Sequence, residues 1–417
     1  MRRDTNRGER RSATIGPVSF DALWAALEPI GRDAGTGGYR RYAWTAADLE
    51  CREWFTGAAE ARGLDVETDR NGNLWAWWGD PDRGDALVLG SHMDSVPDGG
   101  AFDGPLGVVS AFAAVDAVRA NDLRPSRPIA VTAFSDEEGA RFGIACGGSR
   151  LMTGALDADR ARALRDGDGI TMAEAMAAAG HDPDRLGAEP DRLARVGQFV
   201  ELHIEQGRVR VDTAGGPAYG LSGLGKPVGV ASAIWPHGRW RIDVAGRADH
   251  AGTTRLDDRE DPMLLFAATV LAARETAIRH DAVATVGKVR IEPNGVNAIA
   301  SHVTAWLDAR GADEERVRAL VADLADAAEL TEESWTAATD FDEPLRDRLA
   351  AGLGNAPVLP TGAGHDAGIL AGAGVQSAML FVRNPTGVSH SPAEQADRDD
   401  CLAGVAALAT VLSDLAA

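Results

Sequence analysis

Ala86-Leu87-Val88-Leu89-Gly90-Ser91-His92-Met93-Asp94 begins as four apolar residues and ends on a histidine and an aspartate. A short, unbroken apolar run of this kind predicts a strand buried on both faces, as in the interior of a parallel sheet. The polar residues then fall at the carboxyl end of that strand, where ligands and catalytic groups collect in open α/β folds. On an extended chain His92 and Asp94 point to the same side. A neutral imidazole and a carboxylate suit a divalent ion of the zinc type, and Asp94 is placed to accept the second N–H of His92. Asp103 lies beyond Gly99 and Gly100, whose freedom lets the loop fold back over the same spot. Taken alone, the stretch also fits a polar, solvated connection between strand and helix.

The pattern recurs. Pro128 to Phe134 predicts a second buried strand, ending in Ser135-Asp136-Glu137-Glu138-Gly139. Two adjacent acids leave a strand end in different directions, so one can bind metal while the other handles protons. Phe199-Val200-Glu201-Leu202-His203 predicts a third strand, continued by Ile204-Glu205-Gln206-Gly207. Ala378 to Val382 predicts a fourth, with Ser389-His390-Ser391 beyond it. A lone histidine is more often structural, but strand ends carrying His, Asp, Glu, His and His together favour a metal centre.

A chain of 417 residues can form two or three domains. Its formal charge of −21 argues against nucleic acid and anionic membranes as partners. Three cysteines, Cys51, Cys146 and Cys401, form no CxxC pair and fit a reduced, cytoplasmic protein. Cys146 falls near the chemistry, and no motif makes it more than a packed bystander. The basic N-terminus lacks an apolar core, so it is not a secretory signal, and residues 1–17 read as a disordered arm. No apolar run approaches membrane-spanning length.

The Gly- and Pro-rich stretch 214–220 marks a domain boundary. Beyond it Arg239 to Val244 alternates like a half-exposed strand, Pro262 opens a helix, and Glu314 to Leu330 has amphipathic helical spacing. Residues 218–333 thus read as an inserted α+β domain, with 1–217 and 334–417 forming the α/β domain that carries the metal ligands. Near the start, Thr45 is expected to cap a helix.

The stretches GSHMDSVPDGGAFDGPLGV, FSDEEGARFG, ELHIEQG, GRADHAGTT, TGAGHDAG and GVSHSPAE occur in this order. They resemble the amidase branch of the dinuclear zinc aminoacylase/carboxypeptidase-like superfamily, peptidase family M20. That branch includes N-carbamoyl-L-amino acid hydrolases, β-ureidopropionases and allantoate amidohydrolases. The resemblance runs from about residue 40 to the C-terminus. It implies a mixed, mostly parallel sheet flanked by helices, with a ferredoxin-like inserted domain serving as lid and dimerisation element.

The same resemblance implies roles. His92, Asp103 and His203 match ligands of one divalent ion; Asp103, Glu138 and His390 match ligands of a second, zinc or manganese or cobalt. Glu137 matches the general base and Asp94 the carboxylate behind His92. His250 resembles a histidine that reaches the partner subunit's site and stabilises the oxyanion. Asn297 and Arg310 resemble binders of the substrate carboxylate, and Gln206 and His365 further substrate contacts. From the residues alone, Asn297 also fits a turn and Arg310 a surface ion pair. His181, His237, His280 and His302 match no motif and read as surface or structural. Arg255-Leu256 and Arg383-Asn384-Pro385 depart from the family pattern at the expected pocket rim.

The expected activity is removal of the carbamoyl group from an N-carbamoyl amino acid or similar ureido acid by a cytoplasmic homodimer. Allantoate hydrolysis uses the same residues. An aminoacylase or dipeptidase, and a catalytically dead metal-binding protein, are the other readings; the retained Glu137 and full ligand set argue against the last.

Overall fold

The computed structural model describes residues 20–325 and 328–417; the expected N-terminal arm lies outside them. The strand Ala86–His92 is buried along its whole length, as are Ile129–Phe134 and nearly all of Val196–Ile204 and Gln376–Val382. These four pair in parallel, in the order 129–134, 86–92, 196–204, 376–382. They form the centre of a nine-stranded mixed sheet whose outer pairings are mostly antiparallel. Successive side chains enter opposite layers. Leu87 and Leu89 pack with Val108, Phe112 and Leu408 of the helices Pro105–Ala120 and Arg398–Leu415. Ala86 and Val88 pack on the other side with Phe199, Ala367 and Leu370. A run that reads as uniformly apolar therefore serves two cores, and its carboxyl ends all emerge on one edge.

The second sheet has four antiparallel strands, in the spatial order 282–292, 302–311, 237–245, 330–336. With the helices Pro262–Arg279 and Glu314–Ala325 the chain order is βαββαβ. Along 237–245 and 302–311 burial alternates. Trp240, Ile242, Val303 and Leu307 face the two helices. Arg239, Asp308 and Arg310 have the opposite parity and face away from that core.

Three local expectations are corrected. Val228–Ile234, assigned above to the inserted domain, pairs with 376–382 in the large sheet. Thr339–Asp340 returns beside it. The chain thus crosses between the sheets at residues 235–236 and 337–338, not at 218 and 334. The helix from Glu314 extends to Ala325, and Leu330 opens a strand instead of closing the helix, because its side chain packs against the small sheet's core. Thr45 precedes the helix Ala46–Glu60 without capping it: its hydroxyl donates to the Tyr42 carbonyl at 2.7 Å, and Asp48 takes the Trp44 N–H at 2.8 Å. Among the described residues no helix is long and apolar enough to cross a membrane.

Candidate metal centre and its cavity

The ends of the central strands bring His92, Asp103, Glu138, His203 and His390 together. Asp103 lies at their midpoint. Its Oδ1 is 3.7 Å from His92 Nε2 and 3.2 Å from His203 Nε2, and its Oδ2 is 3.4 Å from His390 Nε2. Glu138 Oε2 is 3.6 Å from His390 Nε2. Two triplets, His92–Asp103–His203 and Asp103–Glu138–His390, share the Asp103 carboxylate.

These residues fit a divalent cation. Ligands about 2.0–2.1 Å from a tetrahedral ion lie roughly 3.3 Å from one another, close to the spacings observed. Among the described residues His92 Nε2, His203 Nε2 and Glu138 Oε1 are buried without a hydrogen-bond partner. Such orphans cost about 1–3 kcal/mol each unless something satisfies them. The other ring nitrogens are used. His203 Nδ1 faces the Ile204 carbonyl at 2.9 Å. His92 Nδ1 faces the Asp94 carbonyl at 3.2 Å and its carboxylate at 3.4 Å. With a cation bound, these contacts favour the tautomer that leaves each Nε2 lone pair for the metal. Burial pushes the Glu137 and Glu138 carboxyls well above the usual range, although His92 opposes it; bound cations would offset that burial.

Asp94 does more than orient His92. Its carboxylate accepts the backbone N–H groups of Glu137 and Glu138 at 3.1 and 3.0 Å, so it fixes the turn bearing both acids. Glu137 Oε2 lies 3.7 Å from His92 Nε2. The Cys146 thiol lies 3.3 Å from Glu137 Oε1, a contact beyond its expected role as a bystander. Gln206 lines the cavity, but its amide donates to Asp103 Oδ2 at 2.9 Å and to Ser389 at 3.0 Å. A third buried group, Glu201, His203 and His365, offers no free carboxylate: Glu201 accepts from Ser91 at 2.8 Å and from the Ala367 N–H at 2.9 Å. His365 packs edge-on against His203, and burial, reinforced by that neighbour, keeps it neutral.

The centre opens into a cavity of about 710 Å³ between the two sheets. Arg310 enters it from the polar face of the small sheet. Its guanidinium is held by Asp308 at 2.6 and 3.0 Å and donates to the Gly362 carbonyl of the large unit at 2.8 Å. His237 also lines the cavity, which corrects its reading as surface or structural. It pairs across the strands with Arg310, and its Nδ1 is occupied by the Trp235 carbonyl at 3.0 Å. No motif marks it; only the register does. His250 and Asn297 are not brought to the centre. They sit together, exposed, on a two-residue bridge where His250 pairs with Ala298, and neither lines the cavity. His280 and His302 pair with Asp323 and Asp243 as structural groups, and His181 packs on Trp44.

This fold and site define an α/β protein whose strand ends carry groups suited to a divalent metal. The chain matches the model of Peptidase family M20/M25/M40 over residues 88–414 and belongs to that family. It is 36% identical to the N-carbamoyl-L-amino acid amidohydrolase of Geobacillus stearothermophilus, over 94% of this chain and 97% of that one. It is 32% identical to the allantoate amidohydrolase of Escherichia coli, over 94% and 96%. An amidase of the hydantoinase/carbamoylase family from Burkholderia vietnamiensis superposes with a TM-score of 0.84 at 27% identity, over 97% of this chain and 98% of that one. The protein is an amidohydrolase acting on C–N bonds.

Proposed function

We propose that the protein hydrolyses N-carbamoyl-L-amino acids or similar ureido acids, taking up water to give ammonia, carbon dioxide and the free amino acid. The observation that carries this reading is the pairing, across one cavity, of two ligand triplets sharing Asp103 with a clamped guanidinium, Arg310. His92, Asp103 and His203 would hold one divalent ion, and Asp103, Glu138 and His390 another, of zinc, manganese or cobalt. When bound, such ions lower the pKa of water and polarise the carbonyl under attack. Glu137 accepts the proton of the attacking water and returns it to the leaving nitrogen. Asp94 holds the Glu137 backbone in place for that transfer. Arg310, whose Nε edge is held by Asp308, offers its remaining Nη N–H groups to the substrate carboxylate, with His237, His365 and Gln206 around it.

His250 and Asn297 belong to the same proposal through a second copy of the chain. Both are exposed and neither lines the cavity of its own chain. Leu264, Leu271 and Ile278, seven residues apart, leave an apolar stripe exposed on the helix Pro262–Arg279. Beside it runs the unpaired edge strand Ala282–Glu292 with Val283 and Val289 exposed. A two-fold pairing would cover both and carry His250 to the partner's site, where its N–H would stabilise the charge developing on the carbonyl oxygen.

The test is ammonia release from N-carbamoyl-L-amino acids, allantoate and N-acetyl amino acids offered in parallel. Turnover of the first is expected to exceed that of the last. Allantoate as the better substrate would move the reading to that ureido acid, and a preference for N-acetyl amino acids would overturn it.

A further inference from the structure

Two chemically different sets of side chains line the cavity. One comprises Asp103, Glu137, Glu138 and their histidines. The other comprises Arg150 and Arg160 of the segment 143–160, with Arg239 and Trp335 of the small sheet. Arg239 already faces Asp308 at 3.5 Å, sharing that carboxylate with Arg310. Arg150 is different. Its Nε donates to the Ala145 carbonyl at 3.0 Å, which fixes the guanidinium and leaves its two Nη groups without a carboxylate partner among the described residues. The Arg160 guanidinium, on the helix Ala158–Ala163, likewise has no carboxylate partner among them. In a chain with 63 acidic and 42 basic residues, two unpaired guanidinium groups thus face one cavity. The one acid lining the cavity outside the metal cluster, Glu333, accepts from Trp306 at 3.1 Å and faces Arg241 at 3.9 Å.

We propose that Arg150 and Arg160 form a second carboxylate subsite, distinct from Arg310, so that the preferred substrates are ureido dicarboxylic acids of the aspartate or glutamate type. This rests on the reading of the site as a ureido-acid hydrolase. Arg310 takes the α-carboxylate, and the side-chain carboxylate reaches the fixed fork of Arg150, with Arg160 adding charge from the rim. Planar, bidentate donors recognise a carboxylate better than an isosteric amide.

The experiment compares N-carbamoyl-L-glutamate with N-carbamoyl-L-glutamine, which match in shape and differ in charge. The expected kcat/KM ratio is about tenfold or more in favour of the glutamate compound, the size of a charge-assisted hydrogen bond. It should shrink as ionic strength rises, because Arg160 is exposed to solvent. In the double variant Arg150→Gln, Arg160→Gln the ratio should fall towards one. A wild-type ratio of one or less, or a ratio unmoved in the double variant, overturns the subsite. Calorimetric binding of both compounds to the metal-loaded Glu137→Gln protein gives a readout independent of turnover. If the wild type hydrolyses neither compound, the ureido-acid reading fails. The subsite then stands on tighter binding of the glutamate compound and falls on equal binding.

Discussion

At Gly104 the backbone has φ +84°, and a Cβ there would lie 2.4 Å from the His92 ring. The residue opens the helix Pro105–Ala120 and lets the Asp103 loop close over the imidazole. Gly104→Ala is therefore expected to cost about 1–3 kcal/mol in backbone strain and to displace His92. Thermal melting and elemental analysis would both report it, and unchanged metal content would reduce Gly104 to an ordinary turn. His390 carries a comparable left-handed backbone, φ +55°, at the other side of Asp103. The two adjacent acids provide a second test. Glu137→Gln keeps the shape but cannot take a proton, so turnover should fall by roughly 10²–10⁴-fold with metal retained. Glu138→Gln should instead lower metal occupancy. Exchanged phenotypes would reverse the roles of ligand and base.

Between elements, Glu394 holds together what the chain keeps far apart. It follows the strand Gln376–Val382 and the His390 turn, and its buried Oε1 accepts the N–H groups of Phe102 and Asp103 at 2.8 and 3.1 Å. A Cβ at Gly100 would lie 2.3 Å from that carboxylate, so the glycine is what admits it. Ser389 adds a bond to Asp103 Oδ2 at 3.1 Å. The loops bearing His390 and Asp103 are thereby clasped. Glu394→Ala would leave two N–H groups unsatisfied and free the Asp103 loop. A loss of about 10–100-fold in metal affinity is expected, the usual scale for groups that orient ligands, measured by competition with a chelator of known affinity. Undiminished affinity would show that the central strands alone position Asp103. The sequence contains Glu394 within GVSHSPAE, yet nothing local gives it a role, because its partner lies 291 residues away.

For the whole molecule, the two crossings at 235–236 and 337–338 lie side by side on the Val228–Ile234 strand, so the small unit hangs from one place over the cavity. Such a unit can close on substrate, and the proposed two-fold pairing through its exposed stripe has a direct test. His250→Ala should be folded, metal-loaded and nearly inactive, since losing one oxyanion donor typically costs on the order of 10²–10³ in kcat. Mixed with Asp103→Ala, it should regain activity, because a mixed dimer combines an intact metal site with a wild-type His250 from the partner. If the subunits demonstrably exchange and no activity returns, His250 does not act across an interface.

The sequence by itself determined the chemistry at the strand ends. Apolar runs ending in His92, Glu137-Glu138 and His203 announce both a buried parallel sheet and its candidate ligands, because strand burial and side-chain type are local properties. A parallel sheet places all its carboxyl ends on one edge, so convergence of these side chains followed from the fold class. Tertiary structure alone decided the rest. That Val228–Ile234 belongs to the large sheet depends on its neighbour at 376–382, not on its own composition. That His237 lines the cavity depends on cross-strand register with Arg310. That Asp94 holds the Glu137 turn and Glu394 the Asp103 loop depends on contacts across 43 and 291 residues. Such pairings carry no local signal: the hydrogen bonds exist only once burial has brought distant loops into the same dry space.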